Sequence, residues 1–132
     1  MNVTTEVCAA ISALVLIVVF PTEAFFIRDA RVQRFLGIEP EGIDHVHLWS
    51  FCIGARNALA GIGTLIGIWM LHNGHHDTGA TVVVVGCIYM LVASLFMGVA
   101  DALGYWRPRG GSIRGTIASS ILPAVALVAL AF

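Results

Sequence analysis

Residues Gly79 to Gly104 read GATVVVVGCIYMLVASLFMGVADALG, an apolar run with a single charge, Asp101, near its end. A helix rises about 1.5 Å per residue, so a run of this length crosses hydrocarbon about 30 Å thick. A membrane strand would instead show about ten residues of alternating polarity, and this run does not alternate. It reads as a membrane-spanning helix. Three further blocks of the same kind accompany it: Val7 to Ile27, Leu48 to Leu71 and Ile113 to Phe132.

The four blocks take up most of the 132 residues, which leaves no room for a separate soluble domain. Residues 1–132 are therefore expected to form one integral membrane domain, an all-α bundle of four transmembrane helices. With 58% hydrophobic and 11% charged residues, the chain is too apolar for an ordinary soluble domain of this size, and the bilayer is its expected partner. Met1 to Thr5 carries no basic side chain and the first block is longer than the core of a leader peptide, so the first helix is expected to stay in place. Cys8, Cys52 and Cys87 have neither the even count nor the spacing of a disulfide or zinc framework and read as small packing residues. A net charge of −1 and the absence of a basic tract set nucleic acid aside, and no motif asks for a cofactor.

All seven basic residues are arginines. Arg28, Arg31 and Arg34 follow the first span, Arg107, Arg109 and Arg114 surround the last connection, and only Arg56 lies within a span. Short cytoplasmic loops retain positive charge, so these two connections are expected in the cytoplasm, with both termini outside the cell membrane. Within the first loop, Arg28 to Leu36 sets Val32, Phe35 and Leu36 on one side among arginines, as in a short interfacial helix ended by Gly37. Ile38 to Gly42 reads as a turn region, and Asp44 as the cap of the second span. Trp49, Trp69 and Trp106 fall near span ends, where aromatic belts lie.

Glu23, Arg56 and Asp101 fall inside spans, where a charge facing lipid costs about 2.5 kcal/mol or more near the bilayer centre. Counted from the cytoplasmic ends, they lie roughly 7, 12 and 5 Å deep, close enough in level to meet. Arg56 shares a helical stripe with Cys52, Ala60, Gly63 and Gly67, so it is expected to face protein. Asp101 shares one with Ser94, Gly98 and Tyr105, and Thr116, Ser120 and Pro123 recur in the last span. Asn57 adds a donor and an acceptor beside Arg56. Pro21 and Pro123 each free a carbonyl one turn earlier. Glu23, Arg56, Asn57 and Asp101 are thus the candidate ligand-binding residues, with Glu23 and Asp101 as the acids if the chain is an enzyme. A structural ion-pair lock is the competing reading, but two acids against one guanidinium leave one acid free to exchange a proton.

The histidines divide between two faces. His45 and His47 open the second span, while His72, His75 and His76 lie with Asp77 in the opposite loop. The second group has donors suited to a transition metal but no fixed ligand spacing, so solvated imidazoles in a tight hairpin are expected and no metal is assigned. Gly63 and Gly67 form a GxxxG match that points to close helix packing.

Glu23, the run Arg34-Phe35-Leu36-Gly37, Gly54 and Asn57 with Leu59-Ala60, and Leu122-Pro123-Ala124 together resemble a bacterial family of four-span membrane proteins known as the domain of unknown function numbered thirteen hundred and four. The likeness covers nearly the whole chain. Departures fall at Cys52, Ile53 and Arg56, where the family tends to have Asn, Gln and Tyr, and at Leu16 and Ile27, where it has His and Trp. The resemblance implies fold and topology and supplies no reaction.

Three functions fit these residues. The first is binding or transport of a small amphiphilic or ionic ligand through the polar cluster, which at this chain length calls for a homo-oligomer or a larger membrane complex. A second is an acid/base isomerase or cyclase acting on a lipophilic substrate. The third is a noncatalytic subunit of a larger membrane complex.

Overall fold

A computed structural model describes residues 1–36, 42–105 and 109–132, with the side chains of Phe35 and His45 outside that description. The expected stop at Gly37, the turn from 38 to 41, Trp106 and Arg107 also lie outside the described residues.

Five helices form: α1 (Val3–Ala24), α2 (Ala30–Leu36), α3 (Ile43–His72), α4 (His76–Ala102) and α5 (Ile113–Ala129). There is no strand among the described residues, and the fold is an all-α bundle. Three helices, α1, α3 from Val46 onward and α4, are long and apolar enough to cross a membrane, and α5 is a shorter apolar helix. The short α2 falls within the segment expected as an interfacial helix; among its described side chains Gln33 is buried and Val32 and Leu36 are half-buried.

A side-chain cap, more than the apolar block, sets the start of α1, whereas α3, α4 and α5 begin without a side-chain cap bond. The Asn2 side chain accepts the Thr5 N–H at 2.9 Å, so α1 starts at Val3, a turn before the apolar block. It stops at Ala24, where the Phe25 and Phe26 N–H groups both turn back to the Pro21 carbonyl. Asp29 orders the entry to α2 by accepting the Arg31 N–H at 2.7 Å. Asp44 is not the cap of α3, contrary to the sequence expectation. That helix begins after Gly42 without a side-chain cap, and Asp44 sits within its first turn, paired with Arg28 at 3.0 Å. A carboxylate there still complements the positive end of the helix dipole.

The long helices run alternately up and down. α1 packs on α3, α3 on α4 and α4 on α5, and α5 returns to α1, which closes a four-membered ring. The closure is hydrogen-bonded: Thr5 Oγ1 donates to the Ala126 carbonyl at 3.1 Å, and the Asn2 amide donates to that of Ala129. One end of the bundle, the terminal end, therefore carries both termini and the α3–α4 hairpin. The other, the basic end, carries α2 and the α4–α5 connection.

Backbones approach closely where side chains are missing. A Cβ on Gly61 would lie 2.6 Å from the Ala13 carbonyl oxygen, and one on Gly79 would lie 2.7 Å from both the Gly67 carbonyl and the Leu71 nitrogen. Of the GxxxG pair, Gly67 meets Val82 and Val83, whereas Gly63 faces open space. Ala9, Leu71, Val83, Cys87, Met90 and Ala126 form the core, which lies toward the terminal end. The outside is apolar, with Val18, Leu59, Val85, Phe96 and Val128 all largely exposed. A water-soluble bundle buries such residues, whereas a lipid-facing one displays them.

Candidate functional site

Each long helix turns one stripe of residues, spaced alternately three and four apart, toward the bundle axis. In α1 the stripe is Thr5, Ala9, Ser12, Leu16, Val19 and Glu23, and in α4 it is Val83, Cys87, Met90, Ser94, Met97 and Asp101. Near the terminal end both stripes are buried. Toward the basic end Leu16, Val19 and Glu23, and likewise Ser94 and Met97, are only half-buried. The other two helices repeat the pattern: Thr64 and Leu71 of α3 and Pro123 and Ala126 of α5 are buried, while Asn57, Thr116 and Ser120 are half-buried. Stripe positions in a filled bundle lose their exposure along the whole length. Here these stripe residues of the basic half stay half-buried, although Asp101, Ala24, Ile27 and Ala58 are buried in that half, and it is also the more polar half.

Glu23 lies on this inward stripe against α3. Its Oε2 would be 2.7 Å from a Cβ on Gly54, so the absent side chain of Gly54 is what admits the carboxylate. Among the described residues, no donor reaches that carboxylate within hydrogen-bond distance. The backbone around it is held firmly: Ser50 Oγ donates to the Glu23 carbonyl at 2.9 Å, and His47 Nε2 lies 3.1 Å from the Ala24 carbonyl. Both side chains sit on the α1-facing side of α3 and serve the last turn of α1, whose carbonyls have no further partners within the helix.

The expected meeting of Glu23, Arg56 and Asp101 does not form. Helical geometry separates Arg56 from Gly54 by two residues, about 200° around α3. Its side chain is exposed on the outer surface instead of facing protein. The ion pairs among the described residues are Arg28 with Asp44 and His72 with Glu6, neither of which includes the three.

Asp101 is committed to the turn between α4 and α5. Its Oδ1 accepts the Gly110 N–H at 2.7 Å, and its Oδ2 accepts the Ser112 N–H at 2.9 Å and the Ser112 hydroxyl at 2.8 Å. Gly104 and Gly110, at φ +83° and +86°, bend the connection back so that these donors converge. Asp101 is 5% exposed and supplies from α4 the cap that Ser112 does not give to α5.

Asn57 accepts the Tyr89 hydroxyl at 3.2 Å, which ties α3 to α4 midway along the bundle. Thr116 Oγ1 is buried between α4 and α5 without a hydrogen-bond partner among the described residues, close to where a Cβ on Gly98 would lie. The Ser94 and Ser120 hydroxyls donate to carbonyls one turn back, at 2.8 and 2.7 Å, which leaves their lone pairs facing inward as acceptors. At the terminal end His72 is drawn to Glu6 at 2.9 Å. Among the described residues, no three His, Cys, Asp or Glu side chains are grouped as a metal site would require.

Sequence reasoning missed the roles of His47, Ser50 and Thr116. The only signal for the first two was their three-and-four spacing to Gly54, and Thr116 was visible only as a polar position in the last span. The Glu6–His72 pair had a clearer signal, since an up-and-down topology brings the start of α1 beside the end of α3.

These features define a small α-helical bundle in which α1, α3 and α4 have membrane-spanning length and composition. Comparison with known families narrows the class further. The chain belongs to the family described as protein of unknown function (DUF1304), whose model matches residues 10–131. No curated protein and no solved structure matches it.

Proposed function

We propose that the chain is a four-span protein of the cell membrane that binds, and in an oligomer transports, a small amphiphilic or ionic ligand in the basic half of its bundle. The observation that carries this reading is the change in the inward stripes, from buried and mainly apolar at the terminal end to half-buried and polar at the basic end. Polar groups within a membrane bundle gather where a ligand or ion passes. Of the four candidate residues, Glu23 and Asn57 remain in the binding site. Ser94, Thr116 and Ser120 join them, while Asp101 serves the adjoining turn. Six arginines at the basic end support placing that end in the cytoplasm, with both termini outside.

The protein in native-lipid nanodiscs, analysed by mass spectrometry and structure determination, tests the reading. A stoichiometric small molecule is expected in the basic half and should be lost in Ser94→Leu, which fills the space. A bundle closed in that half, with nothing retained, overturns it.

A second reading, a noncatalytic subunit of a larger complex, is favoured by Arg56 and Gly63. Arg56 is exposed, and a Cβ on Gly63 would meet nothing among the described residues. Under that reading Arg56→Gln reduces recovery of a partner while Glu23→Gln does not. The isomerase or cyclase reading draws less support, because both oxygens of Asp101 are already engaged.

A further inference from the structure

We propose that the ligand is a lipophilic cation, whose positive centre sits against the Glu23 carboxylate and whose apolar body lies along Phe20, Phe25 and Phe51. The inference rests on the binding reading above and specifies its ligand class. Gly54 organises the place: the Glu23 carboxylate and the edge of the Phe20 ring approach the position of its missing side chain to 2.7 and 3.0 Å. The charge and the aromatic wall are therefore neighbours. The three rings form a triangle, with centroids 5.9 to 6.0 Å apart and planes set edge to face. Phe25, 65% exposed, continues this wall to the outer surface, so an apolar molecule has a lateral way in from lipid.

The charge of the ligand follows from what surrounds Glu23. Of the basic groups nearby, Arg28 is paired with Asp44 at 3.0 Å and His47 Nε2 is engaged at the Ala24 carbonyl at 3.1 Å. A carboxylate inside a span without a partner among the described residues is costly, and a cation offsets that cost where a neutral molecule does not and an anion adds to it. Hard metal ions seek several carboxylate and other oxygens, and among the described residues no three His, Cys, Asp or Glu side chains are grouped here. An organic cation needs only one counter-charge and polarisable ring surface, which carboxylate and phenylalanines supply together.

The test is equilibrium dialysis of protein in phosphatidylcholine nanodiscs, corrected with empty nanodiscs. The probes are tetraphenylphosphonium (cation), tetraphenylborate (anion) and triphenylphosphine oxide (neutral). Saturable binding of the phosphonium is expected, weakened at least about tenfold in Glu23→Gln, the equivalent of about 1.4 kcal/mol, and largely kept in Glu23→Asp. Should Glu23→Gln fail to fold, Phe25→Ala decides, because loss of one ring contact is expected to weaken binding about threefold. Unchanged affinity in the variant that decides overturns the proposal. Saturable binding of the borate or the oxide but not of the phosphonium overturns the ligand class and leaves the binding reading standing. Saturation by none of the three overturns both.

Discussion

The terminal and basic halves of this bundle are built from the same four helices, yet they are packed by different rules. In the terminal half, glycines let backbones touch and the inward stripes fill the space between them. In the basic half the stripes carry Glu23, Asn57, Ser94, Thr116 and Ser120, and they stay partly open. The difference shows that a bundle this small can bury its stripes at one end and keep polar, half-buried stripe residues at the other. Hydrophobic burial does not drive helices together in lipid, so close van der Waals contact in the terminal half has to do so.

The largest expected effect comes from breaking the packed half. Gly79→Val places a branched side chain where a Cβ already lies 2.7 Å from two backbone atoms of α3. Nothing there can rotate away, so a loss of about 3 kcal/mol is expected, read as a lower unfolding midpoint in mixed micelles. Gly63→Ala, into open space, serves as the control and should leave the midpoint unchanged. Asp101→Ala comes next. It strands the Gly110 and Ser112 donors, and a cost of about 2 kcal/mol is expected, together with faster proteolysis of the α4–α5 connection. Because this turn is the tightest polar lock at the basic end, the variant asks whether the open half depends on it. The smallest effect is a contrast between two methionines of one stripe: Met90→Ala should cost about 2 kcal/mol, and Met97→Ala less than about 1 kcal/mol. Equal costs for the two would remove the distinction between the halves.

Much of this architecture was legible in the sequence, and the reasons for what was not are physical. The apolar blocks disclosed the helices because hydrocarbon thickness sets their length. They did not disclose rotation about the helix axis, since lipid-facing and core-facing residues are both apolar. Arg56 was turned inward on the strength of its small neighbours Gly63 and Gly67, but these two lie on different sides of the α3 contact. Asp101 was assigned to the bundle interior by its depth and by the stripe it shares with Ser94, Gly98 and Tyr105. Its partners arrive only when the connection folds back through Gly104 and Gly110. Glu23 was placed by depth alone; that it continues the stripe beginning at Thr5 became visible only once the buried face of α1 was known. The ring triangle beside it brings two residues of α1's end to one of α3 and needed the helix pairing to be visible.

The contact that closes the ring bears on how the protein is made. Asn2 and Thr5 bond to carbonyls 127 and 121 positions further along the chain. A chain still emerging from the insertion machinery has no Ala126 or Ala129 to offer, so the Asn2 amide N–H and the Thr5 hydroxyl of its first helix wait for these partners while the Asn2 oxygen already caps the helix. The first helix is thus completed only by the last, when α5 docks.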